Sequence, residues 1–239
     1  MRSKLTLPEV KRFKRLGMLC ARAMEATVRA VRPGQSEHRI AARLSDETGK
    51  RGIQAIVTLV ATDDRIFSFR HPLPTSKKLE QYAMLGLCGR KEGLVCSMTR
   101  FIYFGKIPED LCVRAEAVAK VDAALIANTR PNQKLGDILK RGIEAYAETG
   151  FPDEWQYHDQ GGVAGYEPRE IVATASSEEM VCAGQVYTWN PSITGTKSED
   201  TILITEEGCE VLTAMKDWPT VEVHMNGQSF VRPAIFERN

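Results

Sequence analysis

Arg32-Pro33-Gly34-Gln35-Ser36-Glu37 and, later in the chain, Arg130-Pro131-Asn132-Gln133 are two versions of one junction. Each lies between two helical patterns. Upstream of the first, Thr6 and Glu9 have capping-box spacing around Pro8, and Val10, Phe13, Leu16, Leu19, Ala23 and Ala26 recur with helical period. Pro33-Gly34 ends that helix, and Ser36 can cap a second one running toward Gly49. Upstream of the second junction, Pro108-Glu109-Asp110 opens a helix with acidic residues in its first turn; downstream, an amphipathic helix spans roughly 135–149. The offset between the junctions also separates Gly52-Ile53 from Gly150-Phe151. Strand patterns follow at 56–60, 82–88 and 94–104, the last two about the turn Lys91-Glu92-Gly93, and again at 171–174, 186–189 and 201–205. Each half reads helix, helix, strands. The pattern predicts a pseudo-symmetric sheet with helices on one face, an α+β arrangement. No Gly/Ser-rich linker divides it, so residues 1–239 are expected to form one domain, with halves of about 7–106 and 107–213 and an extension, 214–239.

Composition narrows the partners. Lys and Arg number 32 against 31 Asp and Glu, a net charge of +1 that gives no electrostatic reason to expect nucleic acid or an anionic membrane. No apolar run approaches the roughly 18–20 residues that span a bilayer, and Met1-Arg2-Ser3-Lys4 leads into a helix rather than a signal core. A cytoplasmic protein is expected. The six cysteines are scattered without a CxxC pair, and read as buried reduced thiols.

In this order and spacing the pieces resemble the pita-bread family of methionine aminopeptidases, prolidases and creatinase, over roughly residues 7–212. The 32–37 junction looks like that family's Pro-Gly-x-Thr/Ser-Glu segment. His71 stands where the family places a substrate-facing histidine. Gly93 through Thr99-Arg100 to Gly105 looks like its metal-bearing hairpin, and His158-Asp159-Gln160-Gly161-Gly162 with Gly165 like its His-Gly-x-Gly-His-x-x-Gly loop. Ser198-Glu199-Asp200-Thr201, Thr205-Glu206-Glu207-Gly208 and Leu212-Thr213 look like its closing hairpin. The resemblance implies the pita-bread fold, a pseudo-twofold antiparallel sheet with helices packed on one face. The family's metal enzymes hold two divalent ions with two aspartates, one histidine and two glutamates. Those positions fall here on Gly86, Ser97, Gly162, Asn190 and Glu199, of which only Glu199 keeps a charged oxygen. Two dications need several anionic oxygens or imidazoles, so no metal and no other cofactor is expected. Arg169 replaces the family's second substrate-pocket histidine, and the repeat offset separates it from His71, so the pseudo-symmetry should bring the two to one cleft.

Creatinase, a metal-free member, hydrolyses a C–N bond with a histidine and carboxylates. The resemblance therefore implies a metal-independent hydrolase acting on a small polar amino-acid, peptide or guanidino-like substrate. His71 is the candidate acid/base; Glu199 could hold its tautomer, bind a cationic group or activate water. Arg70, Arg169 or Arg100 could clamp a carboxylate, and Asn190 and Gln160 could hydrogen-bond a polarised carbonyl or guanidino group. Residues 189–197, ending in Lys197, read as pocket lining; His158 and Tyr166 complete the candidate set. Each has a plainer reading: His71 as a solvated loop residue, Glu199-Asp200 as surface charge, Tyr166 and Arg169 as a stacked pair, and Gly161-Gly162 as a close approach to substrate or to another strand. Two other functions stay open. One is a metal-dependent Xaa-Pro peptidase or aminopeptidase. The other is an inactive binding module, as in the histone-chaperone subunit with an aminopeptidase-like domain. A homodimer is possible, and whether a preceding domain of the kind creatinase and prolidases carry belongs to the protein is open.

Overall fold

The computed structural model describes residues 3–225 and 227–238, so Met1 and Arg2 of the opening segment lie outside the described residues. Helix α1 (Leu7–Ala30) begins at the capping box: Glu9 Oε2 accepts from both the backbone N–H and the hydroxyl of Thr6 at 2.6 Å. Its Phe13, Leu16, Cys20, Met24 and Val28 are buried. Ser36 Oγ accepts from the Arg39 N–H at 3.2 Å and caps α2 (Glu37–Gly49). The first half then runs β1 (Gln54–Thr62), a short α3 (Asp64–Ser68), β2 (Tyr82–Lys91) and β3 (Leu94–Phe104). The second half repeats the plan with α4 (Glu109–Asn128), α5 (Leu135–Glu148), β4 (Gly161–Ala164), β5 (Ile171–Val172) and β6 (Val186–Trp189). It continues through the small hairpin β7 (Ser192–Ile193) and β8 (Thr196–Lys197), then β9 (Asp200–Ile204) and β10 (Cys209–Val211).

Strands β1-β2-β3 belong to one sheet and β9-β6-β4 to the other, and the two meet where Thr99 of β3 bridges Glu199 just ahead of β9. The halves are thus related across that seam, as the repeat predicts. Helices α1 and α2 share one core with β1–β3, while α4 and α5 share another with β4, β6 and β9. The hydrophobic periodicity therefore becomes two large cores, one under each helix pair, the first also reaching Ala164, Val186 and Leu203, with two smaller clusters about Tyr82 and Phe101 and about Ala123 and Val223.

The tail is more integrated than its sequence suggests. Strands β11 (Thr220–Met225) and β12 (Gln228–Pro233) form a hairpin against α4, and β13 (Phe236–Arg238) pairs with β3 in parallel, a departure from the antiparallel pairing of the other ladders. Arg232 of β12 is 1% exposed and donates through Nε to Asp122 Oδ2 and through Nη2 to Asp200 Oδ2, both at 2.8 Å. Arg100 Nη2 donates to the other Asp200 oxygen at 2.6 Å. Glu199-Asp200 is accordingly buried rather than surface charge. At Gly161 and Gly162 φ is +116° and +151°, and a Cβ would lie 2.1 Å from the Thr188 and Ile171 carbonyl oxygens respectively. The glycine pair thus serves the close approach of β6 and β5 to β4. No described helix is long and apolar enough to cross a membrane; all six cysteines are free thiols, but only Cys20 and Cys96 are buried, and Cys182 is exposed, against the expectation of buried thiols throughout.

Candidate functional site

The loop that carries Arg70 and His71 is held from behind by the glutamate of the first junction. Glu37 is fully buried, and its carboxylate accepts the N–H of Thr62 and of Thr75, each at 2.8 Å, and Arg65 Nε at 3.0 Å. Arg65 Nη2 in turn donates to Leu73 O at 2.9 Å. His71 is placed, exposed, at the mouth of a cavity of about 190 Å³. Leu59, Gly86 and Cys88 form its apolar side; Asp159, Arg169, Asn190, Lys197 and Glu199 form its polar side. His71 and Arg169 therefore share one cleft, as the repeat offset implies.

Glu199 Oε2 accepts the Thr99 hydroxyl at 2.5 Å, and Oε1 lies 3.7 Å from Arg169 Nη2. Arg169 Nη1 donates to Pro168 O at 2.8 Å, and its Nε, 3.8 Å from Asp159 Oδ1, has no hydrogen-bond partner among the described residues. Asn190 is 3% exposed, and its Oδ1 likewise has no partner among them. Lys197 is 7% exposed; burial pushes its pKa down while Glu199 opposes the shift. Although His71 is exposed, protein packed about its ring partly desolvates it, and this together with the Lys197 charge holds its pKa below the usual imidazole value, with Asp159 and Glu199 pulling the other way. His71 is therefore neutral near pH 7, the form a general base requires.

Five of the sequence candidates lie off the cavity, Arg100 among them with its guanidinium on Asp200. Arg70 donates to Ser192 Oγ and Thr194 Oγ1, each at 3.0 Å, and pairs with Glu154. His158 packs against His71, ring edge to ring face at a centroid distance of 5.5 Å, without lining the cavity. Its Nδ1 bonds the Asp159 carbonyl and its Nε2 lies 2.5 Å from Ser192 Oγ. Burial, reinforced by the Lys197 charge, pushes its pKa down to about 3, so the ring is neutral. Gln160 is a structural brace: it accepts from Tyr146 OH at 2.8 Å and donates to the Trp155 and His158 carbonyls at 2.9 Å. Tyr166 bonds Glu9 at the start of α1 and covers Gly93 in the β2–β3 turn, so it neither lines the cavity nor stacks on Arg169. Sequence reasoning gave no role to Thr99 or Glu154: Thr99 lies inside the hairpin motif of 93–105 and could have been found there, while nothing in the sequence marks Glu154. Asp159 lines the cavity, whereas Ser192, inside the 189–197 run expected to line it, instead bonds Arg70 and His158.

The positions that the resemblance assigns to metal ligands divide. Gly86, Asn190 and Glu199 line the cavity. Ser97 is 1% exposed and donates to Cys88 Sγ at 3.1 Å. Gly162 faces backbone, with no room for a side chain. Among the described residues no three His, Cys, Asp or Glu gather as a metal-holding group.

Known proteins resemble this chain in sequence and fold. An uncharacterized peptidase from Staphylococcus epidermidis is 27% identical over 215 residues, covering 86% of this chain and 61% of its own length; the chain thus spans less than two thirds of such relatives. Among solved structures, an X-Pro aminopeptidase from Thermotoga maritima superposes with a TM-score of 0.85 at 21% identity, over 100% of this chain and 65% of that one. A prolidase from Pyrococcus horikoshii gives 0.84 at 22% identity, over 90% and 65%. The N-terminal domain of the FACT complex subunit SPT16 from chickpea gives 0.75 at 14% identity, over 90% and 59%. These likenesses establish the pita-bread fold. A family model for metallopeptidase family M24 matches residues 11–206, most of the chain, and the protein belongs to that family.

Proposed function

We propose that the chain is a hydrolase that cleaves a C–N bond of a small amino-acid- or peptide-like substrate without a divalent metal pair. The observation that carries this reading is the cavity itself. His71, held neutral, and a buried Glu199 carboxylate open onto one space, with Arg169, Lys197 and Asn190 around them. Family membership supports a hydrolase acting on peptide bonds. A metal pair does not fit these residues. The cavity offers one carboxylate and one amide at the assigned positions, Gly162 has no space for an imidazole, and Arg169 brings a positive charge beside Glu199. A cytoplasmic setting agrees with six unpaired thiols.

In this reading His71 takes a proton from the attacking water and returns it to the departing nitrogen. Glu199, fixed by Thr99 through one oxygen, presents the other toward the cationic end of the substrate. Arg169 binds a carboxylate and Lys197 donates to the carbonyl oxygen as charge develops there. Asn190 Oδ1 is free to accept an N–H of the substrate. Calorimetric titration of the chelator-treated protein with manganese, cobalt and zinc tests the metal-free part: no tight stoichiometric binding is expected. Tight binding would install the metal-dependent Xaa-Pro peptidase reading instead. His71→Ala tests the chemistry, since hydrolysis of a panel of dipeptides and guanidino acids should fall by roughly 10²–10⁴-fold. The likeness to the SPT16 domain favours a second reading, an inactive binding module, which complete absence of turnover across that panel would support.

A further inference from the structure

Lys197 takes no part in holding the cavity together. It is 7% exposed, yet among the described residues its Nζ makes no hydrogen bond and no carboxylate oxygen lies within 4 Å. The deeply buried cations elsewhere are treated differently: Arg100 and Arg232 are each met by a carboxylate oxygen at 2.6 Å. A buried ammonium without a close counter-ion is costly, and the amine form is the one burial favours. The downward direction of its pKa agrees. A primary amine that is desolvated, unpartnered and open to a cavity is equipped to attack a carbonyl carbon.

The surroundings specify what kind of carbonyl. Arg169, with its Nε unbonded, supplies a cation for a carboxylate beside the reacting carbon. The orphan Asn190 Oδ1 is an acceptor suited to a hydroxyl. His71 stands at the mouth to carry protons. The cavity of about 190 Å³ has the volume of a handful of water molecules, enough for a small acid and little more. From these positions we infer that Lys197 captures small 2-oxo carboxylates as an imine. The Nζ lone pair forms a C–N bond to the carbonyl carbon while the C=O π pair moves to oxygen. One N–H proton passes to that oxygen, giving a carbinolamine whose hydroxyl donates to Asn190 Oδ1. The hydroxyl then leaves as water as the second N–H proton is transferred, leaving C=N. Amine and carbonyl become imine and water, with no oxidant or reductant consumed. This activity does not rest on the hydrolase reading.

Incubating the whole chain with pyruvate and sodium cyanoborohydride near neutral pH, followed by intact-mass measurement and peptide mapping, tests it. One reduced adduct per chain is expected, mapped to Lys197. It should disappear in Lys197→Met and in Lys197→Arg, which keeps the cation, with circular dichroism showing both folded. Arg169→Met should slow labelling by pyruvate roughly tenfold, the loss of a charge-assisted contact. Labelling spread over surface lysines with the Lys197 peptide unmodified would overturn the inference, whatever the outcome of the hydrolysis assays.

Discussion

Replacing Arg232 with methionine keeps most of the side chain's volume and removes the cation that joins Asp122 to Asp200. Asp200 retains Arg100 and the Thr213 hydroxyl, both at 2.6 Å. Asp122 is left with the Ser198 hydroxyl at 2.5 Å, and its Oδ1 already has no partner among the described residues. Even with Arg232 present, burial raises the Asp122 pKa to about 6; without it the pKa climbs further. In the unfolded chain the same carboxyl ionises near pH 4. The folded variant therefore holds a proton that the unfolded chain has released. Its stability falls as pH rises from about 4 through the raised folded pKa, by up to about 1.4 kcal/mol per pH unit, and levels off above it. The wild type, with its Asp122 pKa already at about 6, shares that fall up to about pH 6, so near pH 6 the variant's deficit relative to it is that of lost hydrogen bonds, about 1–2 kcal/mol. Near pH 8.5 the cost approaches that of an uncompensated buried charge, about 3–5 kcal/mol. With an m-value of about 2–3 kcal/mol/M, the urea midpoint should drop by about 0.5 M at the lower pH and about 1.5 M at the higher. Adding Asp122→Asn should abolish the pH-dependent part. Equal deficits at both pH values, or growth that survives the second substitution, would refute the assignment of the cost to Asp122.

Gly162→Ala forces a Cβ against the Ile171 carbonyl at a positive φ and should cost at least about 3 kcal/mol, a fall in Tm of about 6–12 °C; a fall of under about 2 °C would mean that β5 yields. Glu9→Ala removes the reciprocal half of the α1 capping box and should cost about 1–2 kcal/mol near pH 7. Because hydrogen bonds from Thr6 and Tyr166 hold the Glu9 pKa down at about 2, that contribution should fade as pH falls from about 4 toward 2, and a pH-independent deficit would count against it. If His71 is the general base, its lowered pKa keeps it active in mildly acid solution, so the acid limb of kcat/KM should have its midpoint below the ordinary histidine value of about 6.5; a midpoint above that value would assign the limb to another group.

What was legible in the chain was what is local or repeated. The Thr6–Glu9 box, the Ser36 cap and the two junctions are spacings of a few residues whose geometry is fixed by the helix itself, and they placed α1, α2, α4 and α5 to within a residue or two. The repeat offset put His71 and Arg169 in one cleft because a two-fold relation maps sequence distance onto space. Elements set by tertiary contact were not legible. β13 is three residues long and exists because β3 offers it an edge; β7 and β8 are two residues each, too short for any period. Tyr166 and Gln160 sit in a motif whose neighbours line the cavity, but their side chains leave it for Glu9 and Tyr146, and only the fold decides that. The candidate ion pairs were likewise invisible, since Arg232, Asp122 and Asp200 are brought together by the packing of the β11–β12 hairpin on α4.

The parallel pairing of β13 with β3 also orders events in time. A ribosome delivers the chain from one end, and the first half, α1 through β3, emerges long before residues 236–238 exist. Until they arrive, the end of β3 at Ile102–Phe104 presents unpaired backbone groups, the kind of edge onto which foreign strands add. The nascent protein is thus most vulnerable to mispairing during the synthesis of its second half, when a chaperone or a neighbouring chain can reach that edge first. A tag or truncation at the far end of the chain would act on the half made earliest.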